Sequence, residues 1–320
     1  MNNFWKKLQQ PIYILAPMAG ITDSPWRQVC KSQGTDVVYS EMASATALVY
    51  NPQKTVELLR SKKKESPYVI QLFGSKPEHF AQAVKLLTDK KAIKKLGVKG
   101  YRIPDGFDIN FGCPVRKVLK QDAGSQLFQN LPLAKQVIKA VVDNTGLPVS
   151  IKIRSEAGKV DCLQFLKYMK DLKIEAVMIH GRSQKQGFVG EVDFETIKKA
   201  RKVYGGIIIA NGGVVNVQTA KELLQKTKAD GIAIARGAMG NPWLFKAIKK
   251  GNDMAKNQNQ VMKMILKHAK LVQDYNHNFN EFRQHLLWYV AGLPNAKEMR
   301  NAFLTCKSLT DVEKVVKKFK

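Results

Sequence analysis

Between Asp108 and Val118 the chain reads DINFGCPVRKV, which sets one thiol, Cys113, between a glycine and a proline. A cysteine in a loop is a zinc ligand, half of a disulfide, a nucleophile, an acid, or a bystander. Cys30, Cys162 and Cys306 lie far from it and from one another, with no C-x-x-C pair. That spacing argues against a disulfide framework and against a metal site. These three fall in helical patterns and read as buried bystanders. Other reactive side chains fall at the ends of short apolar runs. They are Pro17, Met18 and Ala19 after the first run, Gln71 in the third and Asn110 in the fourth. Lys152 and Arg154 lie in the fifth, His180 and Arg182 at the sixth, Asn211-Gly212-Gly213 at the seventh and Ala235-Arg236-Gly237 at the eighth. One such residue means little, whereas convergence from seven runs describes a site.

The last two ends carry a phosphate signature. Asn-Gly-Gly and Ala-Arg-Gly let a backbone approach a ligand closely, and loop amides with a short helix start bind phosphate there. Gly212, Gly213 and Gly237 supply unusual backbone angles, and Arg236 clamps the anion. The competing reading is that these glycines only turn the chain. Lys152 alternates with Ile151 and Ile153 and points inward if they face outward. An unpaired buried ammonium is costly, so Lys152 reads as a ligand to a cofactor ring or a phosphate, or as a Schiff base. His180 is a site residue or a satisfied core histidine. Glu191 and Asp193 read as loop architecture. A phosphate beside a ring-binding lysine leaves flavin mononucleotide and pyridoxal phosphate open, and Gln71, able to pair with a flavin pyrimidine edge, favours flavin.

The elements that must position these residues are eight β-rich runs: 12–16, 37–40, 68–72, 107–110, 149–153, 176–180, 207–211 and 231–235. Amphipathic segments at helical spacing separate them. Eight alternations predict parallel pairing in a (β/α)₈ TIM barrel of the α/β class, with chemistry at the carboxyl ends of the strands. A doubly wound open sheet is disfavoured by the count and by the absence of G-x-G-x-x-G after the first run. Beyond Asn252 only helical patterns remain, over 257–276, 281–294, 295–306 and 311–320. The expected division is a barrel over 1–249 and a small C-terminal helical domain over 250–320. A basic segment, Lys90 to Asp105, lengthens the connection into the fourth strand.

Hydrophobic content of 44% and charged content of 25% fit a globular chain with a sizeable core. No apolar run approaches the ~20 residues of a membrane span, and the N-terminus lacks a signal-peptide layout. Cytoplasmic placement, with no metal and no membrane, is the expectation. Lys and Arg total 53 against 26 acidic residues, a net charge of +27. Such an excess draws nucleic acid or acidic membrane surfaces, though a solvated lysine-rich surface gives the same total.

The segments APMAGITDSPWR, QLFG, DINFGCPVRKV, GSQLFQN, IKIR, IHGRSQKQGFVGEVD, IANGGV and ARGAMGNPWLF occur in this order. Their sequence resembles that of the tRNA-dihydrouridine synthases, the bacterial DusB-like branch in particular, and RQHLLWYVAGLPNAKEMR resembles that family's C-terminal domain. The resemblance implies an FMN-dependent enzyme that uses NADPH to reduce the C5–C6 double bond of particular uridines in tRNA. It implies Cys113 as the proton donor, Pro17, Met18 and Ala19 under the flavin, Gln71 and Lys152 at its ring, and His180 near it. Asn211, Gly212, Gly213, Ala235, Arg236 and Gly237 would hold its ribityl phosphate, and Asn110 and Arg182 would contact the uracil. One departure is Ala235, where the branch usually has glycine; its methyl would crowd a phosphate unless Gly237 compensates.

On that reading the reduction needs a hydride at C6 from the flavin N5 and a proton at C5 from the opposite face. A thiol with an ordinary pKa near ~8.5 is protonated at neutral pH and can give the proton. Gly112 is expected to leave room for the base and Pro114 to stiffen the loop. Extracting a stacked uracil costs a few kcal/mol, which contacts between a basic surface and phosphates would offset. Lys263, Lys267, Lys270 and Arg283 of the tail are expected to wall the tRNA cleft, and the chain is expected to act as a monomer. Two rivals remain: an FMN-dependent dehydrogenase of a free pyrimidine, of the dihydroorotate or dihydropyrimidine type, and a non-catalytic tRNA-binding chaperone.

Overall fold

The structure is a computed structural model that describes residues 3–275 and 279–320. Eight barrel strands run β1 (Ile12–Leu15), β2 (Val37–Ser44), β3 (Tyr68–Phe73), β4 (Gly106–Asn110), β5 (Val149–Arg154), β6 (Ala176–His180), β7 (Ile207–Asn211) and β8 (Gly231–Ile234). Each pairs in parallel with the next, and β8 closes on β1. The eight expected runs are these eight strands, and the barrel is the TIM architecture.

The alternation of side chains along each strand divides the core in two. Tyr13, Leu15, Ile70, Leu72, Phe107, Ile109, Ile151 and Ile153 face the helical layer in one large apolar cluster. Ile12, Ile14, Val69, Met178, Ile209 and Ala233 fill the barrel interior in a second, and Trp5 seals it at the amino-terminal end. Period two then forces the next inward positions toward the carboxyl ends to be Gln71, Asn110, Lys152, His180 and Asn211. β2 breaks the alternation, because its register to β3 shifts between Tyr39 and Met42. The bulge adds length beyond the expected Ser40 and brings Met42 to the cavity.

The basic connection before β4 contributes to the opposite end. It forms a short helix, Lys90–Lys95, started by the Asp89 carboxylate. The Tyr101 hydroxyl then donates to Leu87 O, and Asp105, paired with Arg102, accepts from the Tyr68 amide at 2.7 Å. This segment ties down the entry of β3, and none of its residues lines the cavity at the carboxyl ends of the strands.

Beyond Lys250 lie helices Gln258–Asp274, Phe279–Val290, Ala296–Leu304 and Leu309–Phe319. These are the four expected helices; Asn276, the expected last residue of the first, lies outside the described residues. They share the outer apolar cluster with the barrel's helical layer. At the joint, Trp26 of helix Ser24–Lys31 packs on His268, His285 and Tyr289, with ring centroids 4.8–6.1 Å apart. Below it Arg27 and Glu65 form a fully buried ion pair at 2.6 Å. Among the described residues no helix is long and apolar enough to cross a membrane.

Candidate active site

A cavity of about 790 Å³ opens at the carboxyl end of the strands, within the range of small-molecule and cofactor sites. The fifteen residues expected to act on proton, cofactor or uracil line it: Pro17, Met18 and Ala19; Gln71, Asn110 and Cys113; Lys152, His180 and Arg182; Asn211, Gly212 and Gly213; and Ala235, Arg236 and Gly237. Arg154, singled out at the fifth strand without a role of its own, lines it too, as do Met42, Phe188, Val215 and Met239, which the sequence did not single out.

The Cys113 loop is held from both sides. Asn110 Oδ1 accepts from the amides of Gly112 (3.1 Å) and Cys113 (2.9 Å). The Cys113 carbonyl accepts from the amide and hydroxyl of Ser125 at 3.0 and 2.9 Å. Gly112, expected to leave room for the base, lines the cavity, and room for the loop itself comes from Gly124. A Cβ at Gly124, whose φ is +62°, would lie 2.7 Å from Cys113 O, whereas one at Gly112 would make only ordinary contact with Arg154. The thiol is half-buried at the cavity wall, while Cys30, Cys162 and Cys306 are buried elsewhere.

Arg154 is 2% exposed and binds carbonyls instead of a carboxylate. Its Nε donates to Gly112 O at 2.7 Å, and Nη1 donates to Ser183 O and Gly187 O at 3.0 and 2.8 Å. One guanidinium thereby fastens the Cys113 loop to the loop after β6. That second loop presents Phe188, 54% exposed, with the Arg154 and Arg236 guanidinium groups 5.6 and 4.8 Å from its ring centroid.

Positive charge dominates the walls. Burial pushes Lys152 down to about 8, helped by Arg154 and opposed by Asp108. His180 falls to about 2, first through burial and then through Lys152, Arg154, Arg182 and Arg236, so it is a neutral imidazole at pH 7. Lys152, Arg154, Arg182 and Arg236 take part in none of the ion pairs among the described residues. Unpaired cations around open space suit an anionic ligand.

The β7 and β8 ends form a cradle. Gly212 (φ +123°) and Gly213 (φ +75°) adopt backbone angles that L side chains avoid, and a Cβ on Gly212 would come within 3.0 Å of the His180 ring. Gly237 does not supply an unusual angle as expected; it is needed for close packing, since a Cβ there would lie 2.0 Å from Val214 O. Ala235 turns its methyl onto the interior apolar cluster. Asn211 donates to Ala233 O at 2.7 Å and ties the two strand ends together. Arg236 reaches across to Phe188 O at 3.1 Å. A backbone cradle that Cβ atoms would fill, an adjacent guanidinium and a half-buried lysine fit a phosphate-bearing cofactor.

The grooves beside the cavity lead toward the tail. Met239 lines both the cavity and a groove containing Trp243, Met254, Lys256 and Trp288. Trp243 and Met254 continue into a further groove with Lys246, Lys263 and Lys267. Lys263, Lys267 and Lys270 are exposed on helix Gln258–Asp274, and Lys267 feels the charge of Lys64 on the barrel. Arg283, on helix Phe279–Val290, donates from Nη1 to Leu304 O at 2.9 Å. Among the described residues no group of three or more His, Cys, Asp or Glu is placed to hold a metal.

The model of the family "Dihydrouridine synthase (Dus)" matches residues 14–320. The tRNA-dihydrouridine synthase B of Pasteurella multocida is 32% identical over 299 residues, covering 90% of this chain and 86% of that protein. A probable tRNA-dihydrouridine synthase of Aquifex aeolicus is 32% identical over 315 residues, covering 96% and 95%. Among solved structures, histamine dehydrogenase from Rhizobium sp. 4-9 superposes with a TM-score of 0.55 at 12% identity, over 81% of this chain and 48% of that one. A 2-naphthoyl-CoA reductase does so at 0.54 and 11%, over 75% and 50%. This chain thus spans about half the length of those two structures, and the likeness concerns the fold. With a family match from Ile14 to Lys320 and relatives covered almost end to end, the chain belongs to the dihydrouridine synthase family.

Proposed function

We propose that the protein reduces the C5–C6 double bond of uridines in tRNA, with FMN in the cavity and NADPH as electron donor. The observation that carries this reading is the convergence of a half-buried thiol, a half-buried lysine and a glycine-arginine cradle on one cavity in a member of this family. FMN, when bound, supplies the hydride for C6.

The residues of the chain divide the remaining work. Gly212, Gly213, Arg236 and Gly237, with Asn211 and Ala235 beside them, hold the ribityl phosphate. Pro17, Met18 and Ala19 form the platform under the ring. Lys152 and Gln71 face its polar edge, where an ammonium stabilises negative charge. His180, neutral and flanked by cations, packs beside the ring without adding charge. Cys113 gives its proton to C5 from the opposite face, its loop fixed by Asn110, Ser125 and Arg154. Asn110 and Arg182 contact the uracil. Asn110 Oδ1 already holds two backbone amides, so positioning Cys113 is the larger part of its role.

The grooves that continue from the cavity to Lys246, Lys263 and Lys267 give the tRNA backbone a path. Affinity from phosphate neutralisation requires such a surface, and aromatic side chains along it suit unstacked bases. The test is nucleoside mass spectrometry on tRNA lacking dihydrouridine, incubated with FMN-reconstituted protein and NADPH, with free uracil and orotate in parallel. Dihydrouridine in tRNA alone is expected. Turnover of a free pyrimidine, or tRNA binding without product, would contradict the reading.

A further inference from the structure

Beneath the cavity floor lies a carboxylate that the proposed chemistry does not use. Asp108 is fully buried on the inward face of β4, between Gln71 of β3 and Ser150 of β5 in the strand register. Gln71 Nε2 donates to Asp108 Oδ2 at 2.7 Å, and Asn110 Nδ2 donates to Gln71 Oε1 at 2.9 Å. Asn110 Oδ1 accepts from the amides of Gly112 and Cys113. On the other side, Ser150 Oγ donates to Asp108 Oδ1 at 2.6 Å, and the Tyr39 hydroxyl lies 3.3 Å from Ser150 Oγ. Asn110 Nδ2 also meets the Met42 sulfur at 3.7 Å.

A carboxamide can point either end at a neighbour, and only its partners decide which. Here both ends of the run have fixed polarity. The Gly112 and Cys113 amides only donate, and Asp108 Oδ2 only accepts. Between them one orientation of Asn110 and one of Gln71 satisfies every bond, and turning either amide sets donor against donor or acceptor against acceptor. We propose that Asp108 is a positioning residue that fixes, through Gln71 and Asn110, both the polarity Gln71 presents to the cofactor ring and the seat of the Cys113 loop. Gln71 is left with one N–H and one lone pair for the cavity. The arrangement tolerates a proton on Asp108, because a proton on Oδ1 is directed at Ser150, whose hydroxyl has Phe107 O within 3.4 Å as its alternative acceptor.

This inference rests on the FMN reading only for what Gln71 faces; the seat of Cys113 is testable without cofactor. Since Cys30, Cys162 and Cys306 are buried, the iodoacetamide alkylation rate of the full chain reports Cys113. FMN affinity is read separately by fluorescence titration. Asp108→Leu removes the terminal acceptor and is expected to lower FMN affinity about tenfold and to change the alkylation rate several-fold. Gln71→Glu sets two carboxylates against each other and, as a single variant, is expected to disturb both alkylation and FMN affinity, so only its alkylation rate is used to judge the run. Adding Asp108→Asn, whose amide donates to Glu at 71, rebuilds the run with the carboxylate moved one place and is expected to return the alkylation rate to within about twofold of wild type. A folded Asp108→Leu with wild-type alkylation and FMN affinity would overturn the inference. So would failure of the double variant to restore alkylation, which decides the matter if Asp108→Leu does not fold. Wild-type protein that binds no FMN would overturn the cofactor reading instead and leave alkylation to judge the run.

Discussion

The cavity and the joint between barrel and tail both bury polar groups, and they do so in opposite ways. At the joint Arg27 meets Glu65 at 2.6 Å with neither side chain exposed, and aromatic rings around His285 fill the space. In the cavity Lys152, Arg154, Arg182 and Arg236 surround about 790 Å³ of open volume, and among the described residues no carboxylate forms an ion pair with them. Two histidines repeat the contrast. His285 is pushed down to about 3 by burial, whereas for His180 burial is reinforced by four neighbouring cations. Burial alone therefore does not mark a site. At the joint the buried charges are paired and even unbonded polar atoms, Trp26 Nε1 and His285 Nδ1, are packed among rings, while in the cavity unpaired charge surrounds space and awaits a ligand.

The sharpest way to break this comparison is to remove one arginine from each region. Arg27→Met leaves Glu65 buried without its partner and is expected to cost ~3–5 kcal/mol of stability in denaturant unfolding, with FMN affinity nearly unchanged in whatever fraction remains folded. Arg236→Met is expected to do the reverse. FMN affinity should fall ~10–100-fold, as a charge-assisted hydrogen bond to the phosphate disappears, while the unfolding midpoint stays within error. If both variants lose stability and neither loses FMN affinity, the distinction between the regions fails.

A smaller effect tests the outer surface. Replacing Lys263, Lys267 and Lys270 by alanine should weaken tRNA binding and reduce the slope of log affinity against log salt by about one for each phosphate no longer neutralised. Arg283→Ala should leave that slope unchanged, because its guanidinium serves Leu304. A salt response that is flat in the wild type would remove the basis for the groove.

A further effect concerns pH. His285 has a folded pKa of about 3 against an ordinary 6.5, so below pH 6.5 the unfolded chain takes up a proton that the native chain refuses. Its contribution therefore costs stability as pH falls from 6.5 toward 3, by up to ~1.4 kcal/mol per pH unit. Asp23, raised to about 7 by burial, acts in the opposite sense between about 4 and 7. The whole-protein curve mixes the two, but the difference between variants does not. His285→Leu should gain stability relative to wild type as pH drops through that window, and a constant difference would contradict the assignment.

Much of this was legible in the sequence, because a barrel strand ties the face of a residue to its parity. Once Ile151 and Ile153 face outward, Lys152 must face the cavity, and the same rule places Gln71, Asn110, His180 and Asn211. What escaped the reading lies where parity or local spacing stops carrying information. Met42 follows a bulge that shifts the register of β2. Phe188 sits in an aperiodic loop whose position is set by Arg154, 34 residues earlier, through Gly187 O. Gly124 is needed because it passes beneath the Cys113 carbonyl, a tertiary approach no local pattern announces. Gly237 was expected to supply a backbone angle and instead supplies space. The run from Asp108 to Cys113 was also hidden: two of its members stand two residues apart in the DIN motif, but their partner Gln71 comes from another strand.

Proton delivery by Cys113 can be isolated in a single turnover. Enzyme with its flavin reduced beforehand is mixed with tRNA lacking dihydrouridine, and flavin reoxidation is followed without oxygen for wild type and Cys113→Ala. The expected result is reoxidation slowed by at least ~10²-fold in the variant, with tRNA affinity and NADPH-driven flavin reduction unchanged. Reoxidation at the wild-type rate, with dihydrouridine formed, would show that the proton comes from elsewhere.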